Sequence, residues 1–112
     1  MDIIFKSKKL EKQCNDFRIL VRQHGQTRAR KLRQRLDDLL AASSLAEVSK
    51  LPPARCHELV GDRAGQLSID LDHPYRLILI PANDPTPLKE DGGLDWSKVT
   101  AIEIQGIEDT HE

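Results

Sequence analysis

Residues Cys56–Pro81 read CHELVGDRAGQLSIDLDHPYRLILIP, and the punctuation of this stretch decides the fold. Gly61-Asp62-Arg63-Ala64-Gly65 has the composition of a tight turn. Leu67, Ile69 and Leu71 alternate with Gln66, Ser68 and Asp70, which predicts a strand with one wet face. Asp72-His73-Pro74 is a second turn, and Tyr75-Arg76 opens the next strand. Leu77-Ile78-Leu79-Ile80 is apolar at every position, so that strand is expected at the centre of a sheet. The result is a small antiparallel meander with His57, Arg63 and Arg76 set around it. A compact group of imidazole and guanidinium is what gripping or cutting a phosphodiester requires.

Working outward, Ile3-Ile4-Phe5 predicts a short first strand. It must join the same sheet, because a strand of that length is not stable alone. Ser7 is a candidate N-cap for a helix over Lys8–Gln23, whose apolar stripe is Leu10, Cys14, Phe17, Leu20 and Val21. His24-Gly25 stops it. Thr27 is expected to cap a second helix carrying Ala29, Leu32, Leu36, Leu39 and Leu40 on one side. Leu45–Ser49 predicts a short helical turn, ended by Leu51-Pro52-Pro53. The tract 83–93 is rich in Pro, Gly, Asp and Lys and reads as a loop. In the last strand, 101–108, Ile102 and Ile104 point inward. Gly106 then shifts the phase so that Ile107 is the next apolar position, which predicts a bulge. The order β-α-α-β-β-β places this chain in the α+β class, with helices on one face of a mostly antiparallel sheet.

At 112 residues the expectation is one domain spanning 1–112. No apolar run approaches bilayer length. The opening residues turn charged too quickly for a secretory signal. Cys14 and Cys56 lack metal or redox spacing and read as free thiols in a reducing compartment, so the expected location is the cytoplasm. The four histidines are too scattered in sequence for a zinc site, and the glycines fit no nucleotide fingerprint. Neither a metal nor a cofactor is expected.

The net charge of −1 conceals a gradient: residues 1–35 carry +8, residues 36–83 carry −3 and residues 84–112 carry −6. Arg28, Arg30, Lys31, Arg33 and Arg35 crowd the first half of the second helix. Positive charge there opposes the helix dipole, which an anionic partner would relieve. A solvated helix face, or neutralisation of one part of the chain by another, explains the same run.

Several pieces together resemble the RelE/ParE superfamily of toxin–antitoxin toxins, and within it the HigB-like "plasmid maintenance killer" group. They are Ile3-Ile4-Phe5, the Leu32–Leu40 helix, Leu51-Pro52-Pro53, His57-Glu58-Leu59-Val60-Gly61-Asp62-Arg63, Tyr75-Arg76-Leu77, and the end Ile107-Glu108-Asp109-Thr110-His111. The family's usual forms are close to His-x-Leu-x-Gly-Asp-Arg, an Arg opening the next long strand, and a closing Asp-Tyr-His. The longer 85–99 loop is similar to a subgroup labelled "killer suppression protein".

The resemblance implies a RelE-like fold and a metal-independent endoribonuclease that cuts mRNA in the A site of the small ribosomal subunit. The ribose 2′-hydroxyl attacks the adjacent phosphate, with a base, an acid and cations from the protein. It implies a helix-turn-helix, HigA-like antitoxin as partner, with operator DNA met only through that complex, and no membrane. Carried onto this chain, the catalytic candidates are His57, Arg76, Asp109 and His111. The RNA-binding candidates are Arg63 and the basic run Arg28, Arg30, Lys31, Arg33 and Arg35.

Each has a plainer reading: His57 as a surface histidine, Arg63 in a turn salt bridge with Asp62 or Glu58, Arg76 in a structural pair, His111 at a frayed end. His24 and His73 read as helix-end and turn residues, and Tyr75 and Trp96 as core anchors. The departure is Thr110, where the family has an aromatic able to stack on a base. That departure keeps a second reading open, a non-catalytic protein of the same fold that acts through an antitoxin or another protein. A free-standing DNA-binding regulator fits less well, since the two helices are needed to cover the sheet.

Overall fold

The computed structural model describes residues 1–52 and 54–109. The element order is β1 (Asp2–Phe5), α1 (Lys8–Asn15), α2 (Phe17–His24), α3 (Gln26–Ala41), α4 (Leu45–Val48), β2 (His57–Glu58), β3 (Leu67–Asp70), β4 (Tyr75–Pro81) and β5 (Ala101–Asp109). Short 3₁₀ turns cover Gly61–Arg63 and Trp96–Lys98. The five strands lie in the order β1-β5-β4-β3-β2, so β4 is central. All pairs are antiparallel except β1 with β5, which run parallel.

The class is therefore α+β, with four helices and a five-stranded, mostly antiparallel sheet. The first strand joins that sheet, and the meander of β3 and β4 forms as its turn chemistry predicts. The bulge at Gly106 is present. Ile78 pairs with Gly106 but Leu79 pairs with Ile104, leaving Gln105 as the extra residue. Gly106 sits at φ 156, a backbone state that glycine adopts without strain.

One face of the sheet carries the helices. Leu67, Ile69, Leu71, Leu77, Leu79, Ile102 and Ile104 join Leu20, Ala29, Leu32, Leu36, Leu39, Leu45 and Val48 in one buried cluster. The helix stripes thus bury against the inward positions of the strands, except at Phe17 and Leu40, which were expected on those stripes and are exposed at their edges. The Met1 ammonium donates to the carbonyls of Leu39, Leu40 and Ala42, and so places a cation on unsatisfied carbonyls at the α3 C-terminus.

Four local expectations are corrected. The helix expected over 8–23 is two helices, α1 and α2, because Asp16 ends one and caps the other. Its backbone is extended, and its carboxylate accepts from the Arg18 and Ile19 amides. Ser7 does cap α1, through Leu10 N–H. The second long helix, α3, begins at Gln26 after Gly25, with no side-chain cap from Thr27. The sheet gains a fifth strand, the two-residue β2, which pairs His57 with Ser68 and Glu58 with Leu67. Ser68, expected on a wet face, is fully buried. No helix among the described residues is long and apolar enough to cross a membrane.

Candidate functional site

The sheet face away from the helices is where the chemistry collects. Strand alternation puts Ser68 and Asp70 of β3, and Arg76, Ile78 and Ile80 of β4, on that face. Register adds His57 opposite Ser68 from β2, and Glu108 opposite Arg76 from β5. Ile78, flanked across the strands by Ser68 and Gly106, is fully buried although no helix covers it. The polar side chains around it thus cap an apolar spot.

His57 is held from both sides of its ring. Nδ1 lies 3.1 Å from the Arg55 carbonyl, and Nε2 lies 3.3 Å from both Ser68 Oγ and Arg76 Nη1. A carbonyl can only accept, so in the neutral ring Nδ1 carries the proton and Nε2 presents its lone pair. The hydroxyl and the guanidinium both donate toward that lone pair. This is the tautomer a general base needs, set by a backbone contact.

Asp70 anchors the neighbouring cations. Its carboxylate lies 3.4 Å from Arg55 Nε and 3.6 Å from Arg76 Nε, and its Oδ1 is buried without a hydrogen-bond partner. Arg55, Asp70, His73 and Arg76 line a hollow of about 140 Å³. Both ion-pair distances are long, so these guanidiniums are positioned more than they are neutralised.

Arg55 carried no signal in the sequence reading. It sits at φ 46, a left-handed conformation that costs a non-glycine residue energy. That turn aims its carbonyl at His57 while its side chain reaches Asp70.

Arg63 is differently placed. It grips Glu108 with two bonds of 2.8 Å and gives Nε to Gln66 at 2.9 Å. The bond to Glu108 raises the guanidinium pKa further still. The expected alternatives for a turn salt bridge were Asp62 and Glu58; the partner is Glu108. Glu58 instead accepts from Trp96 Nε1 at 2.9 Å.

The structure thus brings His57, Arg63 and Arg76 onto one face, together with Ser68, Asp70, Arg55 and Glu108. It does not bring Asp109 there. Asp109 pairs with Tyr75, whose ring packs against the helix-side core, so it alternates to the other side from Glu108. Inward Ile107 already implied that parity, which is the signal that could have found Glu108. His111 and Thr110 lie outside the described residues.

The basic run on α3 divides. Arg28 makes a fork to both Asp72 carboxylate oxygens at 3.0 and 3.2 Å and stacks 3.3 Å from the Tyr75 ring centroid. Arg33 bonds the Cys14 carbonyl and pairs with Asp37. Arg35 bonds the Asp70 carbonyl and pairs with Asp38. These three brace the fold, whereas Arg30 and Lys31 are exposed.

The cysteines are unpaired. Burial pushes the Cys14 thiol up to about 11 against the lowering charge of Arg33, and burial with the Glu58 charge pushes Cys56 up to about 12. Neither supplies a thiolate nucleophile near neutral pH. Among the described residues, no three His, Cys, Asp or Glu side chains are grouped so as to hold a metal ion. No protein-family model matches the chain and no curated protein matches it, so the site is read from its own geometry.

Proposed function

We propose that this chain is a RelE-like, HigB-like toxin of a type II toxin–antitoxin module, acting as an endoribonuclease on mRNA at the ribosome. The observation that carries this reading is the convergence of His57, Arg76 and Arg63 on the one sheet face that no helix covers. A single RNA strand can lie along such a face.

In this reading His57 Nε2 takes the 2′-hydroxyl proton, and the 2′-oxygen attacks the adjacent phosphorus. Arg76 and Arg63 hold the extra negative charge of the pentavalent state. The bond to the 5′-oxygen breaks, that oxygen takes a proton from an acid, and a 2′,3′-cyclic phosphate remains. Ser68 and the Arg55 carbonyl position the imidazole. Glu108, directly across from Arg76, is a second group able to accept or return a proton, and the resemblance offers His111 for the same task. Exposed Arg30 and Lys31 are the members of the basic run suited to touching ribosomal RNA, and such contacts would weaken steeply with salt. A helix-turn-helix antitoxin is the partner this reading requires.

One observation favours the non-catalytic reading. Both ends of the Arg63 fork are already occupied by Glu108, so Arg63 is not open to a phosphate unless that pair parts. Induction in a bacterial host, with mapping of mRNA ends with and without ribosomes, separates the two. The nuclease reading expects growth arrest with new mRNA ends, both lost in Arg76→Ala and His57→Ala. Arrest with intact mRNA would leave the binding reading. Harmless induction of a folded protein would remove both.

A further inference from the structure

Arg55 stands apart from the other arginines of the open face. Arg63 and Arg76 each make side-chain hydrogen bonds. The Arg55 guanidinium makes none among the described residues. Its side chain is 74% exposed, and its ion pair with Asp70 Oδ2 is 3.4 Å long, a contact worth little in water. Its backbone nevertheless sits at φ 46, which glycine adopts freely and arginine does not. Nothing in the packing calls for a strained cation at this position, so its use lies outside the fold.

The hollow of about 140 Å³ that Arg55 walls supplies that use. Its charged side chains are Arg55, Arg76 and Asp70, and His73 adds a ring N–H. Leu71, Pro74 and Tyr75 complete the wall without charge. The other carboxylate of that turn, Asp72, is spent on Arg28 through both oxygens. With His73 neutral, the hollow therefore carries a net charge of +1.

Asp70 does not satisfy its two cations. It meets each at Nε, at 3.4 Å for Arg55 and 3.6 Å for Arg76, and hydrogen-bonds neither. Among the described residues, Arg55 thus keeps every guanidinium N–H unbonded, while Arg76 spends Nη1 on His57 and keeps Nη2. Sites that take whole small molecules run to about 300–1,000 Å³. This hollow is smaller and suits a single tetrahedral oxyanion.

We propose that the hollow between Arg55, His73 and Arg76 is a second phosphate subsite, which takes the phosphate next to the one held at His57. Arg76 stands on the border of the two, with Nη1 toward His57 and Nε toward Asp70. Arg55 grips the neighbouring phosphate through its two Nη groups, a fork that lysine cannot reproduce. Asp70 holds the two guanidinium groups apart. Through its carbonyl on His57 Nδ1, the same residue ties the grip on the strand to the ring that takes the proton. The inference deepens the RNA reading and rests on it for the source of the phosphate. The shared chemistry is a phosphate oxyanion, and free phosphate and an RNA strand are tested separately.

The full chain is titrated with sodium phosphate against sodium chloride of equal ionic strength, with the His73 ring and Arg55 Nε–H resonances followed by nuclear magnetic resonance. Phosphate should shift both saturably. In Arg55→Gly the His73 shift should need at least about tenfold more phosphate, the loss of one charge-assisted fork. A 2′-O-methylated oligoribonucleotide, which cannot be cut, is then bound at several salt concentrations. Arg55→Gly should weaken it about tenfold and flatten the logarithmic salt slope by about 0.7, one phosphate contact on a single strand. Arg55→Lys should keep the slope and lose part of the affinity. The unfolding midpoint of Arg55→Gly should equal or exceed that of wild type, because glycine relieves φ 46; a clear fall would make Arg55 a structural residue and overturn the proposal. If the oligonucleotide binds with one slope in both proteins and phosphate leaves His73 unmoved, the subsite is wrong and the RNA reading survives. If phosphate shifts His73 and Arg55 but no oligonucleotide binds, the subsite stands and the RNA reading falls. If neither binds, both fall.

Discussion

The two faces of one sheet are built on opposite principles. The helix side is a continuous apolar cluster, and a charged group at its edge, Arg28, is matched by Asp72 and Tyr75. The open side is a lattice of His57, Arg55, Arg63, Arg76, Asp70 and Glu108 over a single buried isoleucine. The first arrangement earns stability from burial. The second contributes little to stability, because half-exposed ion pairs are worth little in water. Its long contacts, the orphan Asp70 oxygen and the left-handed Arg55 mark a face arranged for something other than holding the fold together.

This contrast can be broken first at the core. Leu79→Ala on the helix side should cost about 2–5 kcal/mol in denaturant unfolding, through lost burial and the cavity left behind. A cost near zero would mean the two faces are not different in kind.

Arg76→Ala, on the open face of the same strand, should cost only about 1 kcal/mol of stability. On the proposed mechanism it should lower RNA cleavage by about two to three orders of magnitude. A large loss of stability with cleavage intact would reverse the assignment of that face.

Arg28→Ala sharpens the division within the basic run. It should lower stability by about 1–2 kcal/mol, since it removes a fork and a ring contact, and it should leave RNA affinity unchanged. Arg30→Ala with Lys31→Ala should do the opposite, reducing affinity and its salt dependence while the unfolding midpoint stays put. Equal behaviour of the two variants in either assay would erase the distinction.

The smallest effect concerns pH. Burial, with help from the Arg28 charge and against the pull of Asp72, lowers the His24 pKa below its ordinary 6.5. The unfolded chain therefore takes a proton first as pH falls. Its contribution is full above the ordinary value and is lost as pH drops through it toward the lower folded value. The stability difference between wild type and His24→Gln should stay constant above pH 6.5 and shift slightly against wild type below it; a shift in favour of wild type at low pH would contradict the sign.

The sheet was largely legible because strand period, turn residues and the Gly106 phase shift are local signals. Asp16 was not read as a break, since Leu10, Cys14, Phe17, Leu20 and Val21 keep helical spacing across it. A capping carboxylate competes with the backbone without disturbing that pattern. Phe17 consequently ends up 40% exposed. At the open face, His57, Arg63 and Arg76 stood out as polar groups beside strands and turns. Arg55 and Ser68 did not, because backbone conformation and cross-strand register arise only when distant segments meet. The same holds for Arg28, whose partner Asp72 lies on the far side of the chain in sequence.

The insertion of β5 between β1 and β4 has a consequence for biosynthesis. During vectorial translation, residues 2–5 and 75–81 emerge with a gap between them that only 101–109 can fill. Until that last segment clears the exit tunnel, the nascent sheet has two raw edges and Arg63 has no Glu108 to grip. Maturation of the whole platform thus waits for residues 101–109, and a partner that bound those edges early would meet the polypeptide before its open face exists.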